Sequence, residues 1–161
     1  MTRYHLRDLN HLRDLIAPLR RYGRLMTGDS IIADKVLLRM LAEVKPAPSG
    51  GVVFRLKMFR ALTGALAAQA QIVSPALASI SRAAPRSDGA LAAAACALPF
   101  VERAALGLVT VEGFKPAEAA AILKMPVALV ERSLKSALDR LSPMPVFRAP
   151  APVFLAEAGL G

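Results

Sequence analysis

Residues 111–141 read VEGFKPAEAAAILKMPVALVERSLKSALDRL. Glu112-Gly113-Phe114 carries no helical period and breaks whatever precedes it. Pro116 suits the first turn of a helix, because its missing N–H needs no partner there. That helix runs to Leu123, with Ala120, Ile122 and Leu123 facing inward. Lys124-Met125-Pro126 makes a turn, and a longer helix follows over 127–141. Its apolar residues Val130, Leu134, Ala137, Leu138 and Leu141 recur at steps of three and four, which gathers them into one buried stripe. A short helix, a tight turn and a longer amphipathic helix form a helix-turn-helix. Upstream, Pro99 starts another helix that continues to about Val111.

The same periodicity extends through the first half. Leu6, Leu9, Leu12, Leu15, Ile16, Leu19, Tyr22, Leu25 and Met26 form one stripe, opposite Arg7, Asp14, Arg20, Arg21 and Arg24. Pro18 is expected to kink or restart that helix. Thr27-Gly28-Asp29 stops it, and Asp29 offers an N-cap to a second helix over 30–44. Lys45 to Gly51 is a loop. A third helix covers 52–71, with Val53, Leu56, Phe59, Leu62 and Leu66 on one face. The chain therefore reads as all-α: two small helical domains, 1–71 and 91–141, joined by a linker over 72–90 and followed by a Pro-rich tail over 142–161.

Composition narrows the function. Ala and Leu abound, aromatic residues are 5% of the 161, and Trp is absent, which favours helix over sheet. The net charge of +9 points to an acidic partner. It is concentrated early: nine basic against five acidic residues over 1–45, and five against one over 46–90. The single cysteine, Cys96, excludes a disulfide framework within the chain and is expected to be a small buried hydrophobe. The N-terminus lacks the apolar core of a signal peptide, and Ala90–Ala97 falls far short of the ~20 apolar residues of a membrane span. A soluble cytoplasmic protein is the expectation. His5 and His11 stand without a carboxylate or thiol grouping, so no metal site is expected. No phosphate loop and no nucleophile–base pair stands out; neither catalysis, a cofactor nor a small-molecule substrate is indicated.

The stretch LPFVERAALGLVTVEGFKPAEAAAILKMPVALVERSLKSALDRL (98–141) resembles region 4 of bacterial sigma factors of the extracytoplasmic-function class. LRDLIAPLRRYGRLMTGDSIIADKVLLRMLAEV (12–44) resembles the first helices of their region 2. Several positions depart from a working sigma factor. Region 98–141 holds six basic and five acidic residues, a net of +1, where phosphate contacts need excess positive charge. The long helix starts Val127-Ala128-Leu129-Val130-Glu131, apolar and then acidic, where donors to base edges belong. Lys115 replaces the capping Ser or Thr, leaving half a capping box, and Lys124 stands where Gly often sits. In GDSIIADKVLLRML (28–41), where sigma factors carry a cluster of acidic residues, only Asp29 and Asp34 are acidic. The third helix, GGVVFRLKMFRALTGAL, lacks the aromatic and basic run expected of promoter melting.

Those departures are closest to the sigma-like domain of PhyR-type general stress response regulators. RRYGRLMTGD, VVFRLKMFRAL and LVTVEGFKPAEAAAIL carry that similarity. The resemblance implies a sigma-factor mimic that binds a small anti-sigma protein of the NepR type and frees the true sigma factor. Such regulators continue into a receiver domain. The twenty residues after Leu141 leave no room for one, so the expectation is a lost receiver, a fragment of a longer chain or a free-standing mimic, and phosphorylation control is not carried over from the resemblance. The implied partner-binding residues are Arg20, Arg21, Arg24, Phe54, Arg55, Phe59, Phe114, Leu129 and Arg132. The alternative is a divergent sigma factor binding core RNA polymerase and promoter DNA, with Arg132, Ser133 and Lys135 in the major groove and Arg55, Lys57 and Arg60 facing the −10 side of the promoter.

Overall fold

The computed structural model describes residues 6–44, 51–72 and 90–143, with backbone only for 6–11, 71–72 and 90–92. The 45–50 loop and most of the expected linker and tail lie outside the described residues, as does His5. The described residues are helical, with no strand among them. In chain order the elements are α1 (Leu6–Thr27), α2 (Ser30–Glu43), α3 (Val52–Ile72), α4 (Ala90–Ala97) and α5 (Phe100–Leu106). A π-helical turn (Gly107–Val111), α6 (Pro116–Leu123) and α7 (Val127–Leu141) complete it.

Local chemistry explains the boundaries. Helix α1 runs through Pro18 rather than restarting there. The lost hydrogen bond is tolerated because Leu19 and Tyr22, just beyond it, are fully buried. Gly28, at φ +72, ends α1. Asp29 then caps α2, its Oδ1 accepting from the N–H groups of Ile31 at 2.7 Å and Ile32 at 3.0 Å. Pro99, expected inside the first turn of α5, is instead its N-cap. That helix ends at Leu106, and the turn to Val111 is π-wound, closed by the Glu112 N–H donating to the Gly107 carbonyl at 2.9 Å. Gly113, at φ +71, reverses the chain so that the Phe114 N–H reaches the Leu108 carbonyl at 2.9 Å.

The helix-turn-helix spans the expected residues. Glu118 Oε2 accepts from the Lys115 N–H at 2.8 Å, while the Lys115 side chain has no acceptor to return, so only half the capping box forms. Lys124 adopts the left-handed conformation, φ 55, that glycine takes at a helix end.

One core joins both halves of the chain. Leu19, Tyr22, Val36, Met40, Phe54, Phe59 and Leu62 pack with Ala104, Leu108, Phe114, Ala120, Ile122 and Val130. A smaller cluster of Leu98, Leu106, Ala137 and Leu141 holds α4 and α5 to α7. The stripe on α3 is rotated from the expected one: Phe54 and Met58 are buried with Phe59, Leu62 and Leu66, while Val53 is exposed and Leu56 half-buried. This helix is apolar on several faces, and the bulkier Phe54 and Met58 win the interior. Ile16 likewise lies at the surface. Cys96 is half-buried rather than buried.

Candidate functional site

The two halves meet along an aromatic column. Tyr22 on α1 lies 5.5 Å from Phe59 on α3, ring centre to ring centre. Phe59 meets Phe114 edge to face at 4.9 Å and 73°. The Tyr22 hydroxyl shares a 3.1 Å hydrogen bond with Thr63, and burial pushes its ionisation above the usual phenol range.

Charged groups bracket that column. Arg21 grips the Glu112 carboxylate with two hydrogen bonds, Nε to Oε1 at 2.8 Å and Nη2 to Oε2 at 2.9 Å. The hydrogen bond, aided by the carboxylate charge, raises the Arg21 pKa further. Arg55 donates to the Glu112 carbonyl, and its guanidinium lies 4.2 Å from the centre of the Phe114 ring. Nearer the chain surface, Arg20 pairs with Asp34, Nε to Oδ1 at 2.8 Å.

Arg103 fastens a second junction. It donates to the carbonyls of Met26 at 2.6 Å, Cys96 at 2.5 Å and Leu98 at 2.8 Å, tying the ends of α1 and α4 together. Burial lowers its pKa.

Between α3 and the α5–α6 side lies an open groove of about 560 Å³. Its walls are mostly apolar: Ala61 and Ala67 from α3, Phe100 and Val101 from α5, Leu123 and Met125 from the helix-turn-helix. Lys57, Arg60 and Lys124 stand around it, and no carboxylate is among its lining residues. Gly64 forms part of the wall and has open space where a Cβ would point.

The expected partner-binding residues fall into two groups. Arg20, Arg24, Leu129 and Arg132 are exposed. Phe54, Phe59 and Phe114 are buried in the shared core, and Arg21 and Arg55 are engaged by Glu112. On α7, Arg132 and Lys135 are exposed and Ser133 is half-buried. The third cation of that helix, Arg140, sits 3.3 Å from Glu102. The exposed start of α7 is Val127, Ala128 and Leu129, followed by Glu131. The residues missed from sequence are Glu112, Arg103 and the groove-lining Gly64 and Lys124, whereas Lys57 and Arg60, expected on the promoter-facing side of the sigma-factor alternative, stand at the groove. Only Gly64, a lone glycine inside a helical pattern, gave a local signal.

The fold and this surface define an all-α protein with a helix-turn-helix whose second helix starts apolar. Residues 97–142 match the family model described as the sigma-like domain of the response regulator PhyR. Among solved structures the chain is similar to the anti-anti-sigma factor PhyR complexed with the anti-sigma factor NepR from Bartonella quintana. The TM-score is 0.56 at 22% identity, over 84% of this chain and 49% of that one. That likeness shows the fold, and this chain spans about half the length of its counterpart. No curated protein matches. The expected closeness to PhyR-type sigma-like domains is thus borne out, and so is the all-α fold. No helix among the described residues is long and apolar enough to cross a membrane.

Proposed function

We propose that this protein is a sigma-factor mimic that binds a small NepR-type anti-sigma protein and so releases the sigma factor held by it. The observation that carries this reading is the groove: an apolar trough between the region 2-like and region 4-like helices, with cations around it. An amphipathic helix with acidic flanks fits such a trough, burying its apolar face and meeting Lys57, Arg60 and Lys124. The family match over 97–142 and the NepR-bound relative support the same class of partner. Segments 1–71 and 91–141 would be the two domains, and the exposed Arg20, Arg24, Leu129 and Arg132 would extend the contact beyond the groove. The role is stoichiometric binding, without catalysis, and its site of action is the cytoplasm.

The surface of α7 disfavours the DNA-reading alternative. Its first exposed side chains are apolar and acidic, and one of its three cations is paired within the fold.

Calorimetric titration with the purified NepR-type protein of the same bacterium tests the proposal. Wild type should bind one to one, and Gly64→Leu, which fills the groove where space is open, should bind at least about tenfold more weakly. Binding of core RNA polymerase in place of the anti-sigma protein would overturn it.

A further inference from the structure

The groove exists only while α3 and the helix-turn-helix stay together, and the contact that holds the loop between them is polar. Glu112 follows the π-helical turn directly. Its side chain is 1% exposed, whereas that of Arg21 is 56% exposed. The carboxylate is thus buried and held by a guanidinium that reaches in from the surface. Arg55 takes the backbone carbonyl of the same residue from the α3 side and covers Phe114. Three elements distant in sequence converge on one residue.

This arrangement has a specific failure mode. Without Arg21 the Glu112 carboxylate would remain buried without its hydrogen-bonded counter-ion, since Arg55 is held on the backbone carbonyl of the same residue, and a buried charge stripped of its partner is less favourable than having neither group. The route to relief is rotation of the 112–115 loop into water. That motion carries Phe114 off Phe59 and lifts the start of α6 from α3, and the groove wall formed by Leu123 and Met125 goes with it.

We propose that Arg21 and Arg55 are positioning residues for partner docking: through Glu112 they seat the region 4-like helices on the region 2-like helices and so keep the groove in its binding shape. The inference rests on the anti-sigma reading above. The clasp acts on the fraction of molecules competent to bind, since apparent affinity falls in proportion to that fraction.

The test uses Arg21→Met, Glu112→Gln and the double variant, each titrated with the NepR-type protein. In parallel, spin labels at cysteines replacing the exposed Leu38 and Lys135, in a Cys96→Ser background, report the distance between α2 and α7. Arg21→Met should weaken binding roughly tenfold or more and broaden the distance distribution, with helix content retained. The double variant, which buries no unpaired charge, should recover most of the affinity and the narrow distribution. A merely structural loss would leave the double variant no better than Arg21→Met. If Arg21→Met fails to fold, Arg21→Lys, which keeps the charge but loses the two-pronged grip, should show an intermediate loss. Wild-type affinity and distances in Arg21→Met, or in that case in Arg21→Lys, would overturn the inference. Absence of binding by wild type, with the distance changes still present, would overturn the anti-sigma reading and leave the clasp standing.

Discussion

Gly107 lies against the ring of Tyr22: a Cβ added there would come within 3.1 Å of two ring carbons of Tyr22 and 2.7 Å of a Leu25 methyl. Tyr22 is fully buried and bonded to Thr63, so it cannot yield. Gly107→Ala should therefore destabilise the protein by about 1–2 kcal/mol, as overpacking does. Gly64→Ala is the contrast. Nothing lies within 4 Å of its added Cβ, so the helical gain of up to about 1 kcal/mol should be realised. Urea unfolding of the two variants beside wild type checks both signs.

Lys124 holds a left-handed backbone, φ 55, between α6 and α7. An L side chain there costs about 1 kcal/mol relative to glycine. Lys124→Gly should raise the urea midpoint, offset in part by the greater freedom of the unfolded chain. Lys124→Ala should not raise it. Because Lys124 also lines the groove, the glycine variant should bind the acidic partner more weakly while being more stable.

Alkaline pH should find Tyr22. Its ionisation is raised, first by burial and further by the nearby Glu112 charge, against the Thr63 hydrogen bond. With the folded pKa above the unfolded one, the stabilisation is complete below the ordinary phenol value near ~10 and is lost as pH rises beyond it. Absorbance at a tyrosinate wavelength should show Tyr22 ionising only as the protein unfolds. Tyr22→Phe should flatten that part of the stability profile.

Asp34 should titrate below the usual carboxylate range. The Arg20 hydrogen bond is the main cause, the Arg20 and Arg24 charges add to it, and desolvation opposes it. A depressed folded pKa means that the pair contributes above the unfolded carboxylate pKa and is lost as pH falls through the folded one. Carboxyl NMR of Arg20→Met should show Asp34 moving back up.

If α7 lost DNA affinity through surface charge alone, charge should restore it. Ala128 and Glu131 are both exposed on the first turns of this helix. Ala128→Arg with Glu131→Lys should therefore create non-specific, salt-dependent DNA binding in a fluorescence-anisotropy titration. No gain would mean that this end of α7 is not free to approach a duplex.

Legibility followed locality. The helix-turn-helix could be read to the residue, because Pro116, Lys124 and Pro126 punctuate it and its periodic stripe is strong. The register of α3 could not, since Val53 and Phe54 both suit an apolar face and only the packing partners choose between them. Pro18 does not restart the helix, which runs on through it to bury Leu19 and Tyr22. The pairing of Arg21 with Glu112 spans 91 residues and leaves no periodic trace. The aromatic residues expected to touch the partner are legible as important, but burial of Phe59 and Phe114 follows from the meeting of two halves that each looked self-contained.

The most direct test of the central claim is displacement. A labelled sigma factor is held by its NepR-type anti-sigma protein, this protein is titrated in, and release is followed by fluorescence anisotropy. Sigma factor should come free in proportion to added protein, with Gly64→Leu shifted to higher concentration. Retention of the sigma factor at saturating protein would contradict the mimic.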